Sequence, residues 1–383
     1  YLNPLSYWGY AEKEERRERE ILHASSASYI RGTHLFLLFM RVLLVLLRSE
    51  KALARTILPA KSYMTTFNKT IDETLAYFGE ASEQLLKQQR RTPNKIYGIS
   101  VLLDTYGVLK GLLKKYEGVL EPENAENPIT AFWVKLSSAC RQTLQQFQVD
   151  VRNDASKTMP TDGSVHELTS TTLNFLRHLF SYRDSVLELL PPSKARTKDP
   201  LGDYIVETIE GLKANLEVKA KKAERKTVVQ ASTALVISSA TSSSTLANVF
   251  LINNYYFIWK SASTNQNLST AVGPDFVNSY SNWIEDQKAV YRKSWEKPIS
   301  YLLDDTYKSN KALGAGGAKS FALTKSRFKS FNSDIGALFT QQVQFFIPDD
   351  DLRRSMRTML VKMVVPQYQA FLAKYGDEPF SKH

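Results

Sequence analysis

The stretch Phe346-Ile347-Pro348-Asp349-Asp350-Asp351-Leu352-Arg353-Arg354 reads as the start of a helix. Acids at a helix N-terminus accept from its orphan N–H groups and complement its dipole, so the aspartates are an N-cap with acids in the first turn. A metal reading fails on geometry: consecutive residues on a helix point in different directions and do not form one ligand set. The helix continues through Tyr368-Gln369-Ala370-Phe371-Leu372, where Phe371 and Leu372 are expected to anchor it. It ends in Lys374-Tyr375-Gly376-Asp377-Glu378-Pro379-Phe380-Ser381-Lys382. Pro366 should kink it.

Helical periodicity extends outward from this segment over almost the whole chain. Glu12 to Glu20 alternates acids and bases like a solvated face. Leu35 to Leu58 reads as a buried helix closed by Pro59. Met64 to Leu86 places Phe67, Ile71, Leu75 and Phe78 on one stripe, and Ile96 to Tyr116 does the same with Ile99, Leu102, Leu103, Tyr106 and Leu109. Phe132 to Val151 is another helix. In Met159-Pro160-Thr161-Asp162-Gly163-Ser164-Val165-His166-Glu167, Ser164 and Glu167 have the spacing of a capping box. A helix carrying Leu168, Leu173, Leu176 and Leu179 follows, up to Pro191-Pro192. Leu201 to Lys226 is helical and increasingly basic. Val228 to Trp259, nearly free of charge, reads as the most buried helical hairpin, broken near Ser242-Ser243-Ser244, with strand as the competing assignment. Pro274 to Leu303 and Phe321 to Phe339 complete the series.

The expected fold is all-α: consecutive antiparallel helical bundles in series, forming an elongated rod. Its expected divisions are 1–60, 61–155, 156–262 and a basic C-terminal bundle over 263–383. Composition agrees. The chain has 383 residues, 43% hydrophobic and 23% charged, with only 16 Gly and 14 Pro. The longest apolar run, Leu35 to Leu47, contains Arg41 and is too short for a span of about 20 residues. Membrane contact, if any, is therefore expected to be peripheral. The single Cys140 excludes an intramolecular disulfide framework, fits a reducing cytosol and is expected in a core.

Catalytic chemistry finds no support. Ala315-Gly316-Gly317-Ala318-Lys319-Ser320 lacks the glycine that a phosphate loop needs directly before Lys-Ser, and no strand precedes it. The histidines His23, His34, His166, His178 and His383 form no HExxH pair. No enzyme activity, metal or cofactor is expected.

Basic clusters remain, within a formal charge of +11. They lie in residues 87–115, 213–226 and 308–329, the last without a single acid. Lys325 and Lys329 share a face at i, i+4 beside a buried stripe of Phe328, Phe331, Ile335 and Leu338. An anionic partner would relieve their repulsion; a merely solvated face is the alternative.

Several motifs stand in the order found in one family. They are Asp162-Gly163-Ser164-Val165-His166-Glu167-Leu168-Thr169-Ser170, Asn248-Val249-Phe250-Leu251-Ile252-Asn253-Asn254-Tyr255-Tyr256, Gln287-Lys288-Ala289-Val290-Tyr291-Arg292-Lys293-Ser294-Trp295, Lys325-Ser326-Arg327-Phe328-Lys329-Ser330-Phe331-Asn332 and Ile347-Pro348-Asp349. The chain resembles the seventy-kilodalton subunit of the exocyst, the complex that tethers secretory vesicles to the plasma membrane. The resemblance implies a non-enzymatic, cytoplasmic protein, peripheral at the plasma membrane at sites of secretion. It implies partners among other exocyst subunits, Rho-family small GTPases and an anionic phosphoinositide membrane. It implies that phosphatidylinositol 4,5-bisphosphate is bound through C-terminal basic residues, here Lys325, Arg327 and Lys329 together with Lys319 and Lys382. The family begins with a coiled coil and continues past the position of Lys382, so the chain is expected to be trimmed at both ends. A helical scaffold whose basic patches bind acidic proteins is the alternative function. Nucleic acid is not expected as a partner, because the aromatics fall on buried stripes rather than between exposed bases.

Overall fold

A computed structural model describes residues 38–57, 95–117, 128–155, 158–193, 196–230, 236–303 and 317–376, with a few isolated positions besides. The expected helices at 12–20 and 64–86 lie essentially outside these residues. All regular structure among the described residues is helical: α1 (38–57), α2 (Lys95–Glu117), α3 (Pro128–Asn153), α4 (Glu167–Leu179), a 3-10 turn (Phe180–Tyr182), α5 (Arg183–Leu189), α6 (Pro200–Gln230), α7 (Val236–Thr264), α8 (Gln266–Lys293), α9 (Glu296–Ser300), α10 (Gly317–Gln342) and α11 (Asp350–Tyr375). They fall into two compact units, Tyr1–Phe147 with Ser181–Pro191, and Gln148–Phe180 with Pro192–His383.

In the first unit the α2 stripe packs as its periodicity requires, with Ile99, Leu102, Leu103, Tyr106 and Leu109 all buried. Tyr106 stacks on Trp133, ring centroids 4.3 Å apart, and its hydroxyl donates to Glu188. Cys140 is fully buried, and burial pushes its thiol up to about 12, which leaves it without thiolate reactivity at neutral pH. The buried helix expected at 35–58 is buried on one side only. Met40, Leu43, Leu44 and Leu47 are covered, while Leu38, Val42, Val45 and Leu46 are exposed. The run is apolar all round, and a helix presents only one stripe to its neighbours.

In the second unit α7 is central. Seven consecutive residues, Val249 to Tyr255, are buried, so the helix is enclosed on every side. The helix reading of this β-branched segment holds, but the break expected at Ser242-Ser243-Ser244 does not occur: α7 passes straight through them. Among the described residues α6 runs to Gln230 and α7 from Val236. Asn265 alone separates α7 from α8 and caps the latter by accepting from the Leu268 N–H (3.0 Å). So short a link makes α7 and α8 an antiparallel hairpin. The helix expected over 274–303 begins where the sequence puts it, at Pro274, directly after the non-helical Gly273 (φ 79°) that kinks α8. It stops earlier than expected, at Lys293, before the separate short α9.

Candidate functional site

Three segments that stand apart in the sequence, around Gly163, Asn253 and Phe346, meet at one buried point. Asp162 and Gly163 make a tight turn: the Gly163 N–H donates to Pro160 O, and the Ser164 N–H donates to Asp162 Oδ1 at 3.0 Å. Gly163 sits at φ 72°, where a Cβ would press on Leu246 at 3.1 Å. The backbone is extended at His166 (φ -73°, ψ 140°), which caps α4 by accepting from the Leu168 N–H through Nδ1 (3.1 Å). The expected cap at Ser164 is thereby corrected. The Asp162 turn engages Ser164 first, and the helix begins two residues later.

Two adjacent asparagines of α7 hold this segment. Asn254 Oδ1 accepts from the His166 N–H (3.0 Å) and the Thr169 hydroxyl (2.6 Å), while its amide donates to Phe250 O. The Asn253 amide donates to Gly163 O (2.7 Å) and to Phe346 O (2.9 Å). The Phe346 N–H in turn donates to Asp162 O (2.8 Å). One side-chain amide therefore ties the 163 turn to the segment leading into α11. Sequence reasoning had no signal for this pairing, since the partners are about 90 residues apart and two are backbone carbonyls.

From that anchor α11 begins at Asp349, whose carboxylate accepts from the N–H groups of Asp351 and Leu352. Lys260 Nζ lies 2.6 Å from the same side chain. Burial pushes the Asp349 carboxyl upward, but Lys260 and the capping N–H groups outweigh it and hold the group below its ordinary range. The aspartate run is thus a cap, as its sequence suggests. No group of three or more His, Cys, Asp or Glu poised for a metal occurs among the described residues.

The far half of α11 packs against the middle of α10. Phe371 and Phe328 stack with centroids 5.6 Å apart and planes 8° apart, joined by Phe331, Tyr368, Tyr375 and Leu302. Phe371 is 3% exposed, but Leu372, expected to share its role, is 42% exposed. Adjacent helical residues diverge by about 100°, so only one can face the partner helix. α11 passes through Pro366 unbroken.

This packing places the predicted basic residues. Lys325 and Lys329 are exposed on the side of α10 away from the aromatic cluster. Arg327 is not brought to that face. Its Nε donates to Tyr301 O (3.0 Å) and its Nη2 to Leu303 O, so the guanidinium fastens α10 to the turn after α9. Lys319 lies in the first turn of α10, but its side chain, like Lys308, Lys311 and Lys382, falls outside the described residues. The 213–226 cluster does not form a single surface. Lys213 pairs with Glu217 and lies 4.3 Å over the Trp283 ring, and Lys219 is buried against Asp154.

Residues 317–376 contain nine lysines and arginines against four aspartates. All four aspartates have cationic neighbours: Asp334 with Lys297, Asp349 with Lys260, Asp350 with Arg353, and Asp351 near Lys260 and Arg354. Lys325, Lys329, Arg357 and Lys362 are exposed and have no carboxylate partner among the described residues. No helix among the described residues is long and apolar enough to cross a membrane.

Comparison with known proteins converges on one family. The family model for the C-terminal region of the Exo70 exocyst complex subunit matches residues 35–383. Exocyst complex component 7 of Homo sapiens is 26% identical over 357 residues, covering 88% of this chain and 46% of the human protein. Exocyst complex component EXO70A1 of Arabidopsis thaliana is 25% identical over 312 residues, 79% of this chain and 45% of that protein. The chain thus spans less than half the length of either relative. The solved structure of S. cerevisiae Exo70 shares the fold, with a TM-score of 0.57 at 15% identity over 88% of this chain and 65% of that one. With the matched region running from α1 to the last residue, the chain belongs to the Exo70 family of the exocyst, in its C-terminal part.

Proposed function

We propose that this chain is a non-enzymatic vesicle-tethering subunit. It docks peripherally on the inner leaflet of the plasma membrane at sites of secretion by binding phosphatidylinositol 4,5-bisphosphate. The observation that carries this is the charge arrangement of α10 and α11. Every aspartate there is engaged, and Lys325 and Lys329 stand side by side in solvent. Two like charges at i, i+4 repel, and an anionic headgroup removes that cost. Arg327 supports the site from behind by holding α10 to the preceding turn; Lys319 and Lys382 are the further lipid contacts expected from the sequence. Other exocyst subunits and Rho-family small GTPases are the protein partners that go with this role.

Each basic residue near an anionic leaflet contributes about 1 kcal/mol. Lys325→Ala/Lys329→Ala should therefore weaken binding to phosphatidylinositol 4,5-bisphosphate vesicles by about 2 kcal/mol, roughly thirtyfold. Added salt should weaken the wild-type protein too. Exposed charges contribute little to folding, so circular dichroism should be unchanged. Equal vesicle binding by variant and wild type would refute the assignment. Retained binding to acidic proteins alone would favour a protein-interaction scaffold.

A further inference from the structure

The lysine face of α10 does not end at the lysines. With 3.6 residues per turn, Lys325, Lys329, Asn332, Gly336, Phe339 and Val343 fall on one side of the helix. All six are exposed, Phe339 by 69% and Val343 by 66%. The Val343 N–H still donates to Phe339 O (3.0 Å), so the helical turn reaches the end of the series. A rise of 1.5 Å per residue makes this face about 27 Å long, with Phe339 about 15 Å beyond Lys329. Asp334, the only acid in α10, projects from the opposite side, where it pairs with Lys297 at 2.9 Å. Nor is the apolar end a fraying terminus. Tyr291 donates to Gln342 Oε1 (2.6 Å), and Phe345 packs on the cluster of Val249, Ile252 and Leu352.

Single exposed hydrophobic residues are ordinary on protein surfaces. Here a phenylalanine and a valine, one turn apart, continue a face that is cationic and free of carboxylates. Binding at a membrane interface is strengthened both by electrostatic attraction of cations to anionic lipids and by apolar area buried at the headgroup boundary, and this face offers the two together. A purely electrostatic contact would need only the lysines, and an acidic protein surface would leave Phe339 in water. We propose that Phe339 and Val343 are a membrane-inserting wedge. With Lys325 and Lys329 on headgroup phosphates, α10 lies along the bilayer and this pair enters the boundary between headgroups and acyl chains. The inference rests on the membrane reading above and adds a second, apolar half to that contact.

The single native cysteine makes the test direct. Cys140 is buried and its thiol is unreactive, so Phe339→Cys introduces one accessible thiol for an environment-sensitive nitrobenzoxadiazole dye. Glu167→Cys, exposed on α4, is the control. Vesicles of phosphatidylcholine, phosphatidylserine and phosphatidylinositol 4,5-bisphosphate should blue-shift and brighten the dye at 339 and leave the dye at 167 unchanged. Phe339→Ser/Val343→Ser should bind these vesicles on the order of tenfold more weakly, with an unaltered circular dichroism spectrum. If vesicle binding depends on Lys325 and Lys329 while the dye at 339 stays in water and the serine variant binds like wild type, the wedge is wrong and the electrostatic contact stands. If the lysine variant binds like wild type, the membrane reading itself fails, and the wedge with it. A dye response to an acidic protein but not to vesicles also overturns the proposal.

Discussion

Asn253 offers the sharpest test of how this chain is held together. Its amide donates to Gly163 O at a buried site and to Phe346 O at a partly buried one, and its Oδ1 has no partner among the described residues. The residue's contribution therefore runs through its two amide hydrogens. Asn253→Ala removes both and strands two carbonyls. A buried acceptor left unsatisfied costs about 1–3 kcal/mol. Taking about 2 for Gly163 and about 1 for the wetter Phe346 gives a loss of about 3 kcal/mol. For a unit of this size that corresponds to a fall in Tm of about 6–12 °C. Asn253→Asp is nearly isosteric but should be worse at neutral pH, because a carboxylate would face two carbonyl oxygens. Its folded-state pKa would rise above the unfolded value of about 3.9. The folded variant then binds more protons than the unfolded chain between those two values, so its stability falls as pH rises through that window. Differential scanning calorimetry with hydrogen exchange over residues 159–170 and 345–360 would read both effects. A wild-type Tm for Asn253→Ala, or an Asn253→Asp variant no more sensitive to pH than wild type, would refute the role given to this amide.

Three further outcomes are expected. Phe371→Ala should cost roughly 3–5 kcal/mol, as for a large core truncation, whereas Leu372→Ala, half in solvent, should cost well under that; equal losses by chemical denaturation would contradict the packing. The Asp349 carboxyl is held below its ordinary range, so its contribution is present above the unfolded pKa of about 3.9 and lost as pH falls through the lower folded value. The stability gap between wild type and Asp349→Asn should accordingly narrow in strong acid, and a gap independent of pH in urea titrations would count against the Lys260 pairing. On α1, Leu44→Ala should cost about 2–5 kcal/mol while Val42→Lys stays within about 0.5, and similar thermal shifts for both would mean that the exposed face is covered after all.

Much of this molecule was legible because helices announce themselves locally. Apolar residues at three- and four-residue spacing named the α2 stripe residue by residue, and the aspartates before Leu352 marked the start of α11. The order of motifs identified the family, and the lone cysteine was read as core. What periodicity could not supply was how much of each apolar surface finds a partner. It made α1 a buried helix and Leu372 an anchor, because composition registers that a side chain is apolar and not whether another helix arrives to cover it. It also put a cap at Ser164, where a competing turn overruled the local rule, and a break at Ser242-Ser243-Ser244, through which the helical backbone continues. The lysine pair was visible as an i, i+4 spacing. Arg327, two residues away, was grouped with it until the fold turned its guanidinium onto the Tyr301 and Leu303 carbonyls. The Asn253 clamp on Gly163 and Phe346 lay beyond any local reading. Backbone carbonyls carry no residue identity, and segments some 90 positions apart become neighbours only when the chain packs.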